Sequence, residues 1–146
     1  ASALVTLAGM TYAGDISPID TFAALQTDPR AVLVDVRTKA EWTYVGVPDV
    51  SHIGKDAIQI EWVSYPGGTR NDNFVDDLRE AGIAEGQPIF FLCRSGVRSK
   101  HAAEAATAVG LGPAYNIADG FEGQLDASHH RGVGGWKASG LPWRQG

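Results

Sequence analysis

The sequence predicts an α/β domain with a parallel sheet covered by helices, on two observations. Residues 31–36, Ala-Val-Leu-Val-Asp-Val, and residues 89–92, Ile-Phe-Phe-Leu, are near-continuous apolar runs. Strands buried on both faces read in this way, whereas a strand with one wet face alternates. Between and after such runs lie stretches with helix-start signals, so short strands alternate with helices along the chain.

Each element has its own local grounds. Ser17-Pro18 reads as an N-cap followed by proline at the first helical position, which predicts a helix through about Gln26. Asp28-Pro29 makes a turn before the strand at 31–36. Thr38-Lys39-Ala40-Glu41 has the spacing of a capping box and opens a short helix. Gly46, Pro48 and Gly54 leave 45–54 irregular, and 57–62 is expected to form another strand. Pro66-Gly67-Gly68 reads as a turn, after which Asn71 is expected to cap a helix carrying Phe74, Val75, Leu78 and Ile83. Gln87-Pro88 leads into the strand at 89–92. Residues 97–109 are alanine-rich and strongly helix-forming, and 114–117 is the last expected strand. From Asp119 onward the chain is rich in Gly, His and Trp and reads as loop and short turns. Trp62, Trp136 and Trp143 are read as core-closing or tail-pinning aromatics in preference to cleft walls.

Composition bounds the function. A chain of 146 residues, 44% hydrophobic and 20% charged, is most simply one domain (1–146, core about 16–143), large enough for a proper core without disulfides or metals. A net charge of −5 and a pI near 5.2 argue against a nucleic-acid binder, which would rest on phosphate neutralisation. A small anionic substrate stays compatible, because a local basic pocket can oppose the global charge. No stretch approaches the roughly 20 apolar residues of a membrane span. The first ten residues carry no Lys or Arg and so lack the charged start of a signal peptide, which makes the expected location cytoplasmic.

Cys93 is the one cysteine of the chain, and it opens Cys93-Arg94-Ser95-Gly96-Val97-Arg98-Ser99 directly after the run at 89–92. In isolation a strand-end cysteine is a small buried hydrophobe. Here a strand, a tight glycine-containing loop and a helix N-terminus would hold the sulfur near backbone N–H groups and two guanidinium groups, the setting that favours a thiolate and an anion attached to it. Ser95 and Ser99 add hydroxyls. A single cysteine also excludes an internal disulfide, a CxxC redox pair and an internal resolving thiol. His129 and His130, with Asp126 nearby, lack further ligands and are read as surface loop, so no metal and no cofactor is expected. His101 is read as a solvated helix residue.

The Cys93 loop, the Leu33-Val34-Asp35-Val36-Arg37 strand end with Glu41-Trp42 after it, the Asn116-Ile117-Ala118-Asp119-Gly120-Phe121 segment and the Gly134-to-Trp143 tail together resemble a single-domain rhodanese, a sulfurtransferase, over residues 16–143. The resemblance implies an α/β fold with a central parallel sheet of about five strands and helices on both faces. It implies Cys93 as the sulfur-carrying nucleophile and Arg94, Ser95, Gly96, Val97, Arg98 and Ser99 as the substrate-binding loop. The implied reaction is ping-pong: a small anionic donor such as thiosulfate leaves a persulfide on Cys93, and cyanide, a thiol or a protein acceptor removes it. Asp35 and Arg37 are expected to be a structural pair beside the site, with Arg37 the nearer to the pocket, and Glu122 is expected near the pocket rim. The region 46–54 departs from the family's usual Gly-His-Ile-Pro-Gly-like run, which leaves the pocket wall open. A non-catalytic or partner-dependent module for sulfur relay or sensing is the alternative. A cysteine phosphatase is disfavoured by counting, since the arginine after five intervening residues is replaced here by Ser99, and Arg98 lies one position early.

Overall fold

The structure is a computed structural model that describes residues 12–64, 67–131 and 134–145. The expectations for residues 1–10, and Pro66 of the turn at 66–68, lie outside these. Five strands form the central sheet: β1 (Gly14–Ile16), β2 (Val32–Asp35), β4 (Ile58–Gln59), β5 (Ile89–Leu92) and β6 (Ala114–Ile117). Their spatial order is β1-β6-β5-β2-β4, and every neighbouring pair is parallel. A separate antiparallel ribbon joins β3 (Val47–Pro48) to β7 (Trp143–Arg144).

The alternation of side chains along the strands divides the core in two. Val34, Ile89, Phe91, Cys93 and Ala114 face one side, where they pack against α3 (Phe74–Glu80) and α4 (Val97–Ala108) through Phe74, Leu78, Ala102, Ala103 and Ala106. Leu33, Phe90, Leu92 and Ile117 face the other, against Leu25 of α1 (Pro18–Thr27) and Trp136 of α5 (Gly135–Ala138). Helices therefore cover both faces, which is why β2 and β5 are largely apolar on both sides.

The helix-start signals act as expected at two of three sites. Ser17 accepts the Asp20 N–H and Pro18 is the first helical residue of α1. Thr38 and Glu41 close a reciprocal capping box on α2 (Lys39–Tyr44). Asn71, however, is not a cap. Asn73 occupies that place on α3 without a side-chain bond, while Asn71 accepts the Asn73 N–H and gives its amide protons to the Glu61 carbonyl and Asp77. Ile83 lies beyond α3 and is buried in the core. The expected strand at 57–62 shortens to β4 because it is a sheet edge; Ile60 and Trp62 still donate to the Asp35 and Val36 carbonyls beyond it.

The tryptophans divide in the same way. Trp136 is fully buried and its indole N–H donates to the Pro142 carbonyl, which pins the tail. Trp62 is buried edge-to-face on Phe74. Trp143 stays 41% exposed, with the Lys137 ammonium 3.9 Å above its ring. Among the described residues, no helix is long and apolar enough to cross a membrane.

Candidate active site

Cys93 leaves the C-terminal end of β5, at the carboxyl edge of the parallel sheet where α/β folds gather their ligands. The turn that follows is held from behind. Phe121 N–H donates to the Cys93 carbonyl at 2.8 Å, and the Glu122 and Gly123 N–H groups donate to the Arg94 carbonyl. Gly120 makes this approach possible. Its φ is +55°, and a Cβ there would run into the Cys93 and Arg94 backbone. Gly96, with φ +108°, turns the chain into the first turn of α4.

The sulfur has two polar neighbours. Gly96 N–H donates to Sγ at 3.0 Å, and Ser99 Oγ lies 3.1 Å away. The expected ring of amides is thus realised as one N–H and one hydroxyl. Ser99 is fully buried and Cys93 is 1% exposed. Ser95 contributes its carbonyl, which accepts from the Gln124 amide, and Val97 points outward, 62% exposed.

The two loop arginines differ. Arg98 is gripped bidentately by Glu41 of α2, Nη1 to Oε1 at 2.7 Å and Nη2 to Oε2 at 3.0 Å. Burial alone would raise the Glu41 carboxyl, but the Arg98 bonds and charge, the Thr38 N–H and the Arg37 charge more than reverse this and hold it below the ordinary carboxylate range. Burial would likewise lower Arg98, yet the hydrogen bonds and charge of Glu41 more than reverse this and keep the guanidinium firmly charged. Arg94 is exposed and has no ion-pair partner among the described residues. Both arginines line a cleft of about 420 Å³ with Thr38, Glu41, Val45 and Val63.

Asp35 and Arg37 do form a pair, and it is internal. Arg37 Nε and Nη2 reach the Asp35 carboxylate at 2.9 and 2.7 Å, Nη2 also donates to the Gly46 carbonyl, and both residues are fully buried. The guanidinium lies 4.3 Å from the Phe121 ring centroid, and Nη1 has no hydrogen-bond partner. Arg37 therefore supports the ends of β2 and the 46–54 segment from inside and does not line the cleft. Glu122 lines a separate depression with Arg131, Lys137 and Trp143. His101 pairs with Glu104 on the exposed face of α4. Asp126 accepts the Ser128 and His130 N–H groups in a turn, and the described residues contain no metal-holding group of His, Cys, Asp or Glu.

Three residues escape the sequence reading of the site. Glu41 is read there as half of a capping box and as part of the pattern that carries the resemblance, with no contact to the loop, although its carboxylate clamps Arg98. Asn116 and Asp15 continue from Ser99 away from the sulfur: Ser99 Oγ donates to Asn116 Oδ1 at 2.5 Å, and Asn116 Nδ2 donates to Asp15 at 2.9 Å.

The comparisons with known proteins agree with this architecture. The family model described as the STR4 middle domain matches residues 13–146. A crystal structure of Rv0390 from M. tuberculosis superposes with a TM-score of 0.85 at 56% identity, covering 92% of this chain and 99% of that one. An uncharacterized protein of Rickettsia conorii is 38% identical over 130 residues, 89% of this chain and 96% of its own length. The chloroplastic rhodanese-like domain-containing protein 4 of Arabidopsis thaliana is 29% identical over 85% of this chain, which spans 24% of that protein. Fold and loop together define a rhodanese-like α/β domain with a single strand-end cysteine. The chain belongs to the rhodanese-like family, a sulfurtransferase-type family, and matches its STR4 middle-domain group.

Proposed function

We propose that the protein moves a sulfane sulfur from thiosulfate or a similar small anionic donor to a thiophilic acceptor through a persulfide on Cys93. The observation that carries the reading is the placement of the lone thiol, at a strand end, with the Gly96 N–H on the sulfur and two guanidinium groups lining the adjacent cleft. In the first half-reaction the Cys93 thiolate attacks the outer sulfur of thiosulfate. The S–S bond of the donor breaks, and sulfite leaves with the electron pair. In the second, cyanide or a thiolate attacks the outer sulfur of the persulfide and returns the Cys93 thiolate. With one cysteine in the chain, this second step is intermolecular. A free thiol of this kind suits a reducing, cytoplasmic compartment.

The ping-pong course is tested by steady-state kinetics with thiosulfate and cyanide both varied. Parallel double-reciprocal lines are expected; intersecting lines would mean that donor and acceptor bind together and that no persulfide enzyme is released. A protein acceptor in place of cyanide is favoured by one feature, the exposed Val97 on the loop itself. In that case a small thiol would discharge the persulfide slowly.

The unequal arginines lead to a graded prediction. Arg94→Ala removes one cation from the cleft and should lower kcat/KM for thiosulfate about tenfold, or ~1.4 kcal/mol. Arg98→Ala removes a cation and also leaves the Glu41 carboxylate facing the incoming dianion, so its loss should be greater. Adding Glu41→Gln, which keeps the cap because an amide carbonyl accepts the same bonds, should recover part of it. Equal losses at the two arginines, or no recovery, would show that Glu41 does not influence the donor.

A further inference from the structure

We propose that Asp15, on the edge strand β1, sets the direction of the hydrogen bonds that reach Cys93 Sγ and so acts as a positioning residue for the nucleophile; the inference rests on Cys93 being that nucleophile. β1 and β6 pair in parallel with Asp15 opposite Asn116. The Asp15 carboxylate only accepts, and its Oδ1 receives both the Tyr12 hydroxyl and Asn116 Nδ2 at 2.9 Å. Burial and this bond push the Tyr12 phenol up to about 12, so it remains a donor. The amino end of the Asn116 amide is thereby committed to Asp15, and the carbonyl end is turned to Ser99.

Ser99 has one hydroxyl proton, and it goes to that carbonyl at 2.5 Å. What Ser99 presents to the sulfur 3.1 Å away is a lone pair. The proton in that contact must come from sulfur. The chain therefore runs from Cys93 S–H to Ser99, to Asn116, to Asp15. Ser99 is fully buried and Asn116 is 5% exposed, so water does not offer either an alternative partner.

Were the sulfur charged, the first link would have to reverse: Ser99 would donate to it, which strips Asn116 Oδ1 of its donor, and the amide cannot flip to compensate without setting its carbonyl against the Asp15 carboxylate. Asp15 thus fixes, from the opposite side of β6, the direction in which the Ser99 hydroxyl points at the sulfur. The charged groups around the sulfur are Arg94 and Arg98 from the loop and α4, Glu41 from α2 behind Arg98 and the Asp35–Arg37 pair at the end of β2; Tyr12 and Glu104 lie on the Asp15 side. None of these is a link between Asn116 and the sulfur.

Asp15→Asn tests the chain. An asparagine there can donate to the Asn116 carbonyl, which lets the Asn116 amide turn, donate to Ser99 and release the Ser99 proton to the sulfur. The second-order rate of alkylation by iodoacetamide, a neutral reagent, should rise about five- to tenfold near pH 7, and the excess over the parent protein should shrink as the pH is raised. In a Ser99→Ala background the same substitution should change the rate less than about twofold, because the chain is cut. If Ser99→Ala fails to fold, as judged by its thermal transition, Asn116→Ala provides the cut. An unchanged rate in Asp15→Asn overturns the proposal. So does a rise that survives the cut, which would be the through-space effect of a lost charge. Alkylation needs no sulfur donor, so a protein that fails to transfer sulfur can still pass or fail this test independently.

Discussion

Asp35→Ala is expected to destabilise the domain by about 3–5 kcal/mol, a large share of the roughly 5–15 kcal/mol that holds such a domain together. The size follows from what remains. Arg37 is fully buried and cannot swing to water, so the guanidinium would keep only the Gly46 carbonyl and the Phe121 face. An unpaired buried charge costs far more than the pair contributes, because the pair's attraction mostly offsets its own desolvation. Replacing both partners, as in Asp35→Leu with Arg37→Met, should accordingly cost much less than the single change. Urea unfolding measures both, with the midpoint falling in Asp35→Ala at an unchanged slope. A loss below about 1 kcal/mol for the single variant would mean that Arg37 finds another counter-charge.

Cys93→Ser is expected to reduce sulfur transfer to the uncatalysed level while leaving the fold in place. The change is nearly isosteric, and a hydroxyl at that position keeps both the Gly96 N–H and Ser99 as partners. A serine hydroxyl is neither ionised near neutrality nor able to form a persulfide, and no second cysteine can substitute. An unchanged thermal transition with transfer reduced by at least about a thousandfold is the expected pair of results. Residual transfer within tenfold of the parent would move the chemistry away from Cys93.

The parts of the fold legible in the sequence are those whose physics is local or whose burial is complete. β2 and β5 show as apolar runs because helices cover both sheet faces. α1 and α2 show through caps that involve residues three apart. β1 and the β3–β7 ribbon do not show: Gly14–Ile16 is too short for a pattern, and Val47 meets Arg144 only after the tail has been pinned by Trp136. The expected cap at Asn71 fails because two residues further on, Asn73, takes the position and Asn71 finds better partners in Glu61 and Asp77.

The site divides along the same line. Cys93, Gly96 and Ser99 are neighbours in sequence, and their spacing alone puts them around the sulfur. Glu41 carries a local signal, the capping box, that conceals its second contact, because its pairing with Arg98 depends on how α2 docks against the loop. Asn116 and Asp15 belong to strands joined only by sheet register, so the route from Ser99 to the sheet edge exists in the sequence as two unrelated polar residues. Arg37 illustrates the converse. It is expected as half of a structural pair that comes close to the pocket; the pair forms, and full burial keeps Arg37 within the scaffold.

The central claim, that Cys93 carries the transferred sulfur, is tested most directly by intact-mass spectrometry of the reduced, folded protein after incubation with thiosulfate. The account predicts a single adduct of one sulfur atom, about 32 Da, that disappears on adding cyanide and never forms in Cys93→Ser. A folded, reduced protein that stays at its original mass with thiosulfate and with alternative persulfide donors, or an adduct that persists in Cys93→Ser, would contradict it.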